Sequence, residues 1–571
     1  MKKILLIVAF AFSGSLLAQN NATSFDWSFN GGGGTNVNKR MQYNSEGDLF
    51  FLLDVGHQTT FGNTTVSNPG FGQYLGQATF IGKRSQNGTA SVVVQVNSTN
   101  PTSTTFQDFV IDNDDNIIVS GSTFAFYPAD FYNFGNGITL SGKGNFIAKF
   151  NPQGVCQWAK LISYGLTGST PYSENKNIGL GVLPNNDIYF ANRSANGNKP
   201  FWLVKYNTSG SEIWHKEWIM SGSFSAQILT SVNNFFFDNT GKATFYIYSI
   251  QGDVVTLDGT VLTPPAGTHP STSSIVSITN DGTNGIFSTH RGGIGDIAVE
   301  KTTGNVLVKW GQYVQNPAPF NTIPLAVNNT YQYAGIIALD SNRNFINKTA
   351  GSFTVSIGNL FPLGNLNFVT STRMIPVETI TIPNQTFTAT KYTPTWKFFE
   401  NFTFTKFVAH PEINGTNTNS YDFMALYNNK LAVSGSYYLQ DNPTINVNGT
   451  TLTTCGNDPN FATLYPSYAT YQNDVFISQL TINNSLSVSD NKVSNFKIYP
   501  NPATSQINLS FEHNLENATL KIISILGQTV LEKQNLSGNN FSLDVADLSN
   551  GMYLTQIIDR ENILNSKFIK N

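Results

Sequence analysis

Apolar and polar residues alternate with a period of two in many short stretches along the chain. Each stretch ends at a cluster of Asn, Asp, Gly or Ser, after which the alternation resumes. A period of two is typical of β-strands with one buried face, and such polar clusters are typical of hairpin turns. The chain is therefore predicted to be all-β and built from successive hairpins.

Two kinds of hairpin recur along the chain. The first has an apolar strand, then Lys, an aromatic residue and Asn, with Gly three residues after the Asn and Trp four residues after the Gly. Its clearest copies are 146–163 and 201–218, and weaker copies are 79–96, 275–291 and 334–351. The second kind is interleaved with the first and starts at residues 41, 109, 180, 235, 297 and 423. A degenerate copy in 366–382 and 396–408 fills the long interval before 423.

One unit with both hairpins has four strands, and seven such units of about 65 residues fill residues 20–485. Four-stranded units at a regular period are the signature of a β-propeller, whose radial blades leave only short sheet edges. The last unit, 474–487, lacks a return strand that carries Trp, whereas 24–34 is such a strand without a hairpin of its own. We expect the strand of Trp27 to pair with the strand around Phe476 and to close the ring.

Residues 496–571 follow a polar linker, 486–495, and consist of short alternating strands between turn signals. This pattern predicts a small β-sandwich with an immunoglobulin-like arrangement. Pro500 and Pro502 lack an N–H donor and cannot lie inside a central strand, so they are expected to form a rigid lead into the first long strand.

Charged residues make up 12% of the chain, aromatic residues 13%, and the net charge is −3. So small a net charge gives no electrostatic reason to expect nucleic acid or an acidic membrane as partner. Residues 1–18 have the pattern of a signal peptide, with Lys2 and Lys3 before an apolar stretch and cleavage after Ala18. No other apolar stretch approaches the roughly 20 residues of a membrane span, so an exported chain without a transmembrane segment is predicted.

The two cysteines, Cys156 and Cys455, lie far apart in sequence and in units two blades apart. An oxidising compartment would permit a disulfide between them. Two buried free thiols are the favoured interpretation, and pairing is the alternative.

Candidate metal-binding residues are few. None of the six histidines has a metal-ligand spacing. Calcium would take Asp112, Asp114 and Asn116 as ligands, but Ile117 stands where a calcium loop needs Gly, and a plain hairpin turn is favoured. No cofactor is predicted.

Candidate catalytic and sugar-binding residues are equally few. The string 221–225 only approximates the Gly-x-Ser-x-Gly motif of hydrolases. No carboxylate position recurs among the units, so no catalytic pair is predicted. Trp202, Trp310 and Trp396 are either sugar platforms or packing residues between blades, and packing is favoured.

Four motifs occur in order in the C-terminal region. They are Tyr499-Pro500-Asn501-Pro502, an apolar strand leading to Gly527, a turn and strand with Gly551 and Tyr553, and a terminal segment with Lys567 and Phe568. Over residues 496–571 the set resembles the type A C-terminal sorting domain of the type IX secretion system of Bacteroidota.

This resemblance implies a removable export address. After export through the Sec pathway, the translocon in the outer membrane would recognise the domain, and a sortase-like surface peptidase would cleave it off near the linker. The mature part would then be released or attached to lipopolysaccharide. The expected location is therefore the cell exterior or the outer cell surface.

The body of the chain resembles the seven-bladed propeller repeats of bacterial surface proteins. Since no catalytic set is visible, the leading hypothesis is a binding or adhesion protein with a glycan or protein ligand. A carbohydrate-active propeller enzyme that uses carboxylates of the central channel is the alternative. A purely structural component of the cell surface is a third hypothesis.

Overall fold

The computed structural model confirms an all-β chain. It describes the residues 27–30, 37–55, 58–61, 64–67, 78–98, 104–123, 131–142, 144–162, 176–193, 201–218, 220–221, 227–228, 235–249, 255–257, 259–263, 272–283, 285–291, 293–310, 335–349, 357–374, 377–382, 385–390, 393–409, 423–438, 444–447, 450–453, 473–482, 496–524, 529–559 and 562–571. The predicted signal peptide, the whole of the predicted linker, Cys455 and Gly527 lie outside these residues. Within them there is no helix, and hence none that could cross a membrane.

In the described ranges, forty-one strands precede residue 486. The first nineteen are β1 (Trp27–Asn30), β2 (Val37–Tyr43), β3 (Leu49–Val55), β4 (Gln58–Phe61), β5 (Thr64–Ser67), β6 (Ala78–Arg84), β7 (Ala90–Gln95), β8 (Asn97–Ser98), β9 (Thr104–Ile111), β10 (Ile117–Thr123), β11 (Phe131–Gly135), β12 (Ile138–Ser141), β13 (Gly144–Phe150), β14 (Cys156–Ile162), β15 (Lys176–Val182), β16 (Ile188–Arg193), β17 (Phe201–Tyr206), β18 (Glu212–Trp218) and β19 (Met220–Ser221). The others are β20 (Gln227–Ile228), β21 (Phe236–Phe237), β22 (Ala243–Ser249), β23 (Val255–Leu257), β24 (Thr260–Leu262), β25 (Thr272–Ile278), β26 (Ile286–Arg291), β27 (Ile294–Val299), β28 (Val306–Trp310), β29 (Gly335–Leu339), β30 (Phe345–Lys348), β31 (Ile357–Gly364), β32 (Asn367–Met374), β33 (Thr379–Ile382), β34 (Gln385–Thr388), β35 (Thr393–Glu400), β36 (Thr403–Ala409), β37 (Met424–Tyr427), β38 (Lys430–Tyr438), β39 (Thr444–Val447), β40 (Thr450–Thr453) and β41 (Asn473–Thr481).

Seven antiparallel sheets form the blades of a propeller, each with four strand positions, the first of which is shared in blade 4 by the short strands β20 and β21. In chain order they are blade 1 (β2, β3, β6, β7), blade 2 (β9, β10, β13, β14), blade 3 (β15 to β18), blade 4 (β20 with β21, then β22, β25, β26), blade 5 (β27 to β30), blade 6 (β31, β32, β35, β36) and blade 7 (β37, β38, β41, β1). From blade 1 to blade 6, and again between blades 7 and 1, the first strands of neighbouring blades lie against one another, as expected for strands that surround the axis of a propeller. The predicted count of seven is thus confirmed, and the degenerate copy is blade 6. Its first strand, β31, begins at Ile357, before the predicted start at 366, because residues 367–374 form the second strand.

The ring closes as predicted. Strand β1 pairs with β41, with Trp27 opposite Gln479 and Asn30 opposite Phe476. The N-terminal strand therefore supplies the fourth strand of blade 7 and covers an otherwise open sheet edge.

Adjacent blades pack face to face through apolar side chains. One cluster joins Phe50 of blade 1 to Phe109 of blade 2. Another joins Tyr189 of blade 3 to Phe237 of blade 4, whose rings stack 5.1 Å apart. The alternation in the sequence thus fills the spaces between blades, since each sheet buries both of its faces.

The two ends of the blades differ. At one end, tight turns join the first strand to the second and the third to the fourth, and turns of neighbouring blades are hydrogen bonded. Ser45 of blade 1 donates through Oγ to Asp115 of blade 2 at 2.6 Å, and accepts at its carbonyl the hydroxyl of Tyr427 of blade 7 at 3.1 Å. At the other end, an extra hairpin between the second and third strands is described for five blades: β4–β5, β11–β12, β23–β24, β33–β34 and β39–β40.

The chain divides into two compact units, Met1–Leu486 and Ser487–Asn571. The second unit contains β42 (Phe496–Tyr499), β43 (Gln506–Ser524), β44 (Thr529–Asp544), β45 (Gly551–Asp559) and β46 (Asn562–Lys570). The long β43 pairs at its start with β42 and the end of β44, and at its end with the start of β44 and with β45. All five strands therefore belong to one sheet, which curls until it is nearly closed around one apolar core, in place of the two separate sheets of the predicted sandwich.

Candidate functional site

The C-terminal unit brings together motifs that lie about 70 residues apart. Asn501 accepts at Oδ1 the N–H of Ile569 at 2.9 Å and donates through Nδ2 to the carbonyl of Lys567 at 3.3 Å. Next to it, Ala503 donates its N–H to the carbonyl of Ile569 and accepts the N–H of Asn571, both at 2.8 Å. Pro500 and Pro502 have no N–H to contribute to a sheet, so the Asn501 side chain substitutes for the missing backbone bonds. The first and the last motif thus form one structural element.

The remaining motif residues have two different environments. The ring of Phe568 is fully buried and stacks on Tyr553 at 5.6 Å, while the Tyr553 hydroxyl donates to the carbonyl of Ser549 at 2.8 Å. Tyr499 is 50% exposed, and Pro500, Asn501, Pro502, Gly551 and Lys567 are also exposed. Packing therefore accounts for Tyr553 and Phe568, whereas the exposed residues form a surface.

In the propeller, the recurrent Lys of the first hairpin type pairs with an Asp at the first turn of the same blade. The Lys149 ammonium lies 2.8 Å from Asp112, and both side chains are almost fully buried. The same pair is Lys205–Asp187 in blade 3, at 3.0 Å, and Lys83–Asp48 in blade 1, at 3.1 Å. The Lys of the repeat therefore joins the two hairpins of one blade.

The candidate calcium ligands lie in a closed turn. Asp112 accepts at Oδ1 the N–H groups of Asp114 at 3.0 Å and Asn116 at 2.8 Å, and its Oδ2 contacts the Lys149 ammonium. The Asn116 amide donates to both oxygens of Asp112, and Asp114 accepts Nδ2 of Asn186 at 2.7 Å. These side chains are therefore brought together as hydrogen-bond partners of one another and of the neighbouring blade. No group of three or more metal-ligating side chains occurs in the described ranges.

Two carboxylates occupy equivalent positions beside the propeller axis, which contradicts the expectation that none recurs. Asp108 of blade 2 accepts the N–H of Leu180 of blade 3, and Asp296 of blade 5 accepts the N–H of Leu360 of blade 6 at 3.1 Å. Each Asp directly follows a β-bulge in the first strand of its blade. The signal in the sequence was Asp before Phe109 and Asp before Ile297, one residue ahead of the aligned hairpins.

Asp108 has an unusual electrostatic environment. Its side chain is fully buried, and both its oxygens lie 3.0 Å from Nη1 of Arg40 on the first strand of blade 1. Burial raises the pKa of Asp108 to about 6, against the opposing effects of Arg40 and of backbone N–H donors. Such a pKa suits a general acid, but a side chain without exposed surface contacts no substrate in this conformation.

The described cysteine and two of the histidines make contacts typical of packing or of the surface. Cys156 is a buried free thiol, and burial raises its pKa to about 11. His215 contacts Glu212 at 2.6 Å on the surface. His290 is buried, contacts the Ser288 hydroxyl at 2.6 Å and lies edge-on to Trp310. Trp202, Trp310 and Trp396 are buried as packing residues, as the favoured interpretation had it.

An open groove of about 500 Å³ lies between blades 3 and 4 at the tight-turn end. Its lining residues come from β17 and β18 of blade 3 and from the turn after β25 of blade 4: Lys205, Ile213, Trp214, Thr279, Asn280, Asp281 and Thr283. This groove could not be predicted from the sequence, because its two walls belong to different repeat units.

The family described as "Secretion system C-terminal sorting domain" matches residues 497–571. The C-terminal unit is therefore a sorting domain of the type IX secretion system, and the chain is exported with this domain as its signal. No curated protein matches the chain.

Solved structures resemble the propeller only distantly. A protein of unknown function from Dyadobacter fermentans DSM 18053 covers 80% of this chain and 99% of its own, at 9% identity and a TM-score of 0.34. Virginiamycin B lyase from Staphylococcus aureus gives the same coverages, at 8% identity and 0.35. Prolyl oligopeptidase B from Galerina marginata covers 70% of this chain and 54% of its own, at 8% identity and 0.30. At such TM-scores these likenesses carry no argument about ligand or reaction.

Proposed function

We propose that this chain is an exported binding or adhesion protein, in which the propeller is the delivered part and the sorting domain is removed after export. The proposed partners during export are the outer-membrane translocon and a surface peptidase. The delivered propeller is then released or attached to lipopolysaccharide at the cell surface. The sorting-domain match, with its first and last motifs joined through Asn501, supports the export part of this proposal.

The end of the propeller that carries the extra hairpins supports the binding part. Rigid scaffolds commonly present their ligand contacts on loops at one face. At the base of the blade 6 hairpin, Val377 is 86% exposed and has a φ of +66°, a region that β-branched residues rarely adopt. Its N–H is fixed by the carbonyl of Ala389 at 2.8 Å. A strained, exposed apolar side chain held in place by its backbone is the single observation that favours binding at this end.

The enzyme hypothesis rests on the two carboxylates beside the propeller axis, Asp108 and Asp296. Asp108 has the raised pKa of a general acid but is covered by Arg40 and the backbone of blade 3. Since these contacts are those of a joint between blades, they favour a structural role for Asp108 and a non-catalytic propeller.

Mass spectrometry of the mature termini tests the export part. Secreted material should begin after Ala18 and end within or close to 486–495. Secreted protein that retains Asn571 would contradict removal of the domain.

Substitution of Val377 tests the binding part. The secreted protein is applied to glycan and protein arrays, and its affinity for the strongest ligand is measured. Val377→Asp should weaken binding by about tenfold or more, the loss expected for one apolar contact replaced by a charge. Val377→Gly, which relieves the backbone strain, should weaken binding without loss of thermal stability. Unchanged affinity in both variants would remove Val377 from the binding surface.

A further inference from the structure

We propose that the groove between blades 3 and 4 is a second binding site, at the tight-turn end of the propeller, and that its ligand is a neutral saccharide. The groove is separate from the hairpin end, because third-to-fourth-strand turns and second-to-third-strand connections lie at opposite ends of a blade. Its volume of about 500 Å³ lies within the range of small-molecule sites.

One wall of the groove is apolar. Ile213 is 49% exposed, and Trp214 beside it is half-buried. The Trp214 ring is held edge-on by Tyr189, with ring centroids 5.7 Å apart. The backbone of Gly282 lies so close to this ring that a Cβ there would be 2.9 Å from it. The indole is thus fixed from two sides, and its remaining surface borders the groove, where the C–H face of a sugar ring could pack.

The facing wall is polar and carries a permanent acceptor. Asp281 Oδ1 accepts Oγ1 of Thr279 at 2.7 Å, and Oγ1 and N–H of Thr283 at 2.6 and 3.0 Å. The bonds from Thr283 and Thr279 lower the pKa of Asp281 to about 2, so the carboxylate stays ionised. Within the described part of the chain no donor reaches Oδ2. This oxygen is therefore open to a hydroxyl group of a ligand.

Lys205 supplies a donor at the base of the groove. Its ammonium lies 3.0 Å from Asp187 Oδ2 and 3.0 Å from Asn280 Oδ1. An ammonium has three N–H donors, and the third is available to a ligand hydroxyl beside the Tyr189 ring, whose centroid lies 5.8 Å from Nζ. The groove then offers a negative acceptor and a positive donor beside an apolar wall.

This combination selects a class of ligand by charge. A cationic ligand would meet the Lys205 ammonium, and an anionic ligand would meet the Asp281 carboxylate. A sugar hydroxyl both donates and accepts, so a neutral saccharide uses both groups without repulsion. Its apolar ring face fits the wall formed by Ile213 and Trp214.

The test uses the full secreted protein on an array of neutral, amino and acidic oligosaccharides, followed by calorimetry with the strongest ligand. Asp281→Asn keeps a carbonyl oxygen for the two threonines but loses the acceptor at Oδ2, and should weaken binding about tenfold. Ile213→Ser should weaken binding about fivefold through lost apolar contact. Ser209→Ala, at the same turn position in blade 3, is the matched control and should leave affinity unchanged.

Three outcomes would overturn this proposal. They are no binding to any neutral saccharide, binding to amino or acidic sugars alone, and equal affinity of Asp281→Asn and the unmodified protein. A ligand lost in Val377→Asp but kept in Asp281→Asn binds at the hairpin end. That result would refute the saccharide groove and leave the proposed binding function standing.

Discussion

Two neighbouring joints between blades are built from the same motif and end up different. In both, the Trp of an outer strand lies over the Gly of the next blade's turn: Trp158 over Gly210 between blades 2 and 3, and Trp214 over Gly282 between blades 3 and 4. The first joint is closed, because Trp158 donates through Nε1 to the carbonyl of Thr208 at 3.2 Å and Lys160 donates to the carbonyl of Gly210.

The second joint is open because a different residue makes the contact with the turn. Tyr189, which replaces an apolar Ile118 of blade 2, donates its hydroxyl to the carbonyl of Asn280 at 2.7 Å. Lys216, the counterpart of Lys160, lies over the ring of Trp218, 4.1 Å from its centroid. The open joint therefore differs from the closed one in two residues: Tyr189, which contacts the next turn, and Lys216, which lies over Trp218.

The largest expected effect concerns the ion pairs inside these blades. Lys149→Met in blade 2 leaves the almost fully buried Asp112 without its cation and should lower the free energy of unfolding by about 3–5 kcal/mol. Lys205→Met in blade 3 should cost less, about 1–3 kcal/mol, because the Lys205–Asp187 pair is more exposed to water, at 11% and 13% of its side-chain surfaces. Urea unfolding of the propeller measures both. Equal losses would show that burial of the pair does not set its contribution.

The glycines of the two turns give the next effect. Gly210 and Gly282 have φ of +74° and +75°, so Ala at either position carries the same backbone cost of about 1 kcal/mol. The added Cβ must also displace a Trp ring. Trp158 is held by its hydrogen bond, whereas Trp214 borders free space. Gly210→Ala should therefore destabilise by about 2–3 kcal/mol and Gly282→Ala by about 1–2 kcal/mol, measured as shifts in the unfolding midpoint. A larger loss in Gly282→Ala would refute this order.

A smaller effect follows from removal of the two lysines. Lys160→Ala should cost about 0.5–1 kcal/mol and open a groove beside Trp158. Lys216→Ala should cost about as much through its lost contact with Trp218 but leave the joint between blades 3 and 4 as open as before. Hydroxyl-radical footprinting resolves individual tryptophans. Oxidation of Trp158 should rise in the first variant and that of Trp214 should stay constant in the second.

The fold could be predicted from the sequence because its period is local. Each hairpin carries its own alternation and turn, and the unpaired strand of Trp27 indicated ring closure. The contacts that the Trp and Gly of the repeat make could not be predicted from this local pattern. The Trp and the Gly of the motif are close together in sequence, yet each contacts its counterpart in a neighbouring blade.

The candidate sites were harder to predict for a similar reason. Asp108 and Asp296 lie beside a bulge, which adds a residue to the strand and moves them out of the aligned pattern. Asp422 precedes Phe423 in the same way, outside the described residues. The groove depends on Tyr189, which fits the alternating pattern of its strand like any other residue. Its contact with Asn280 forms only when blade 4 packs against blade 3.

The smallest expected effect is an acid transition confined to the open joint. The bonds from Thr283 and Thr279 lower the pKa of Asp281 to about 2, below its ordinary value of 3.8. A carboxylate with a depressed pKa stabilises the folded turn fully above its unfolded pKa, and this contribution is lost as the pH falls through 2. In a protein labelled with ¹⁵N-threonine, the Thr283 amide, which donates to Asp281 at 3.0 Å, should titrate with a midpoint near 2. The Thr208 amide in the same spectrum should not, because Ser209 stands at the equivalent position in blade 3.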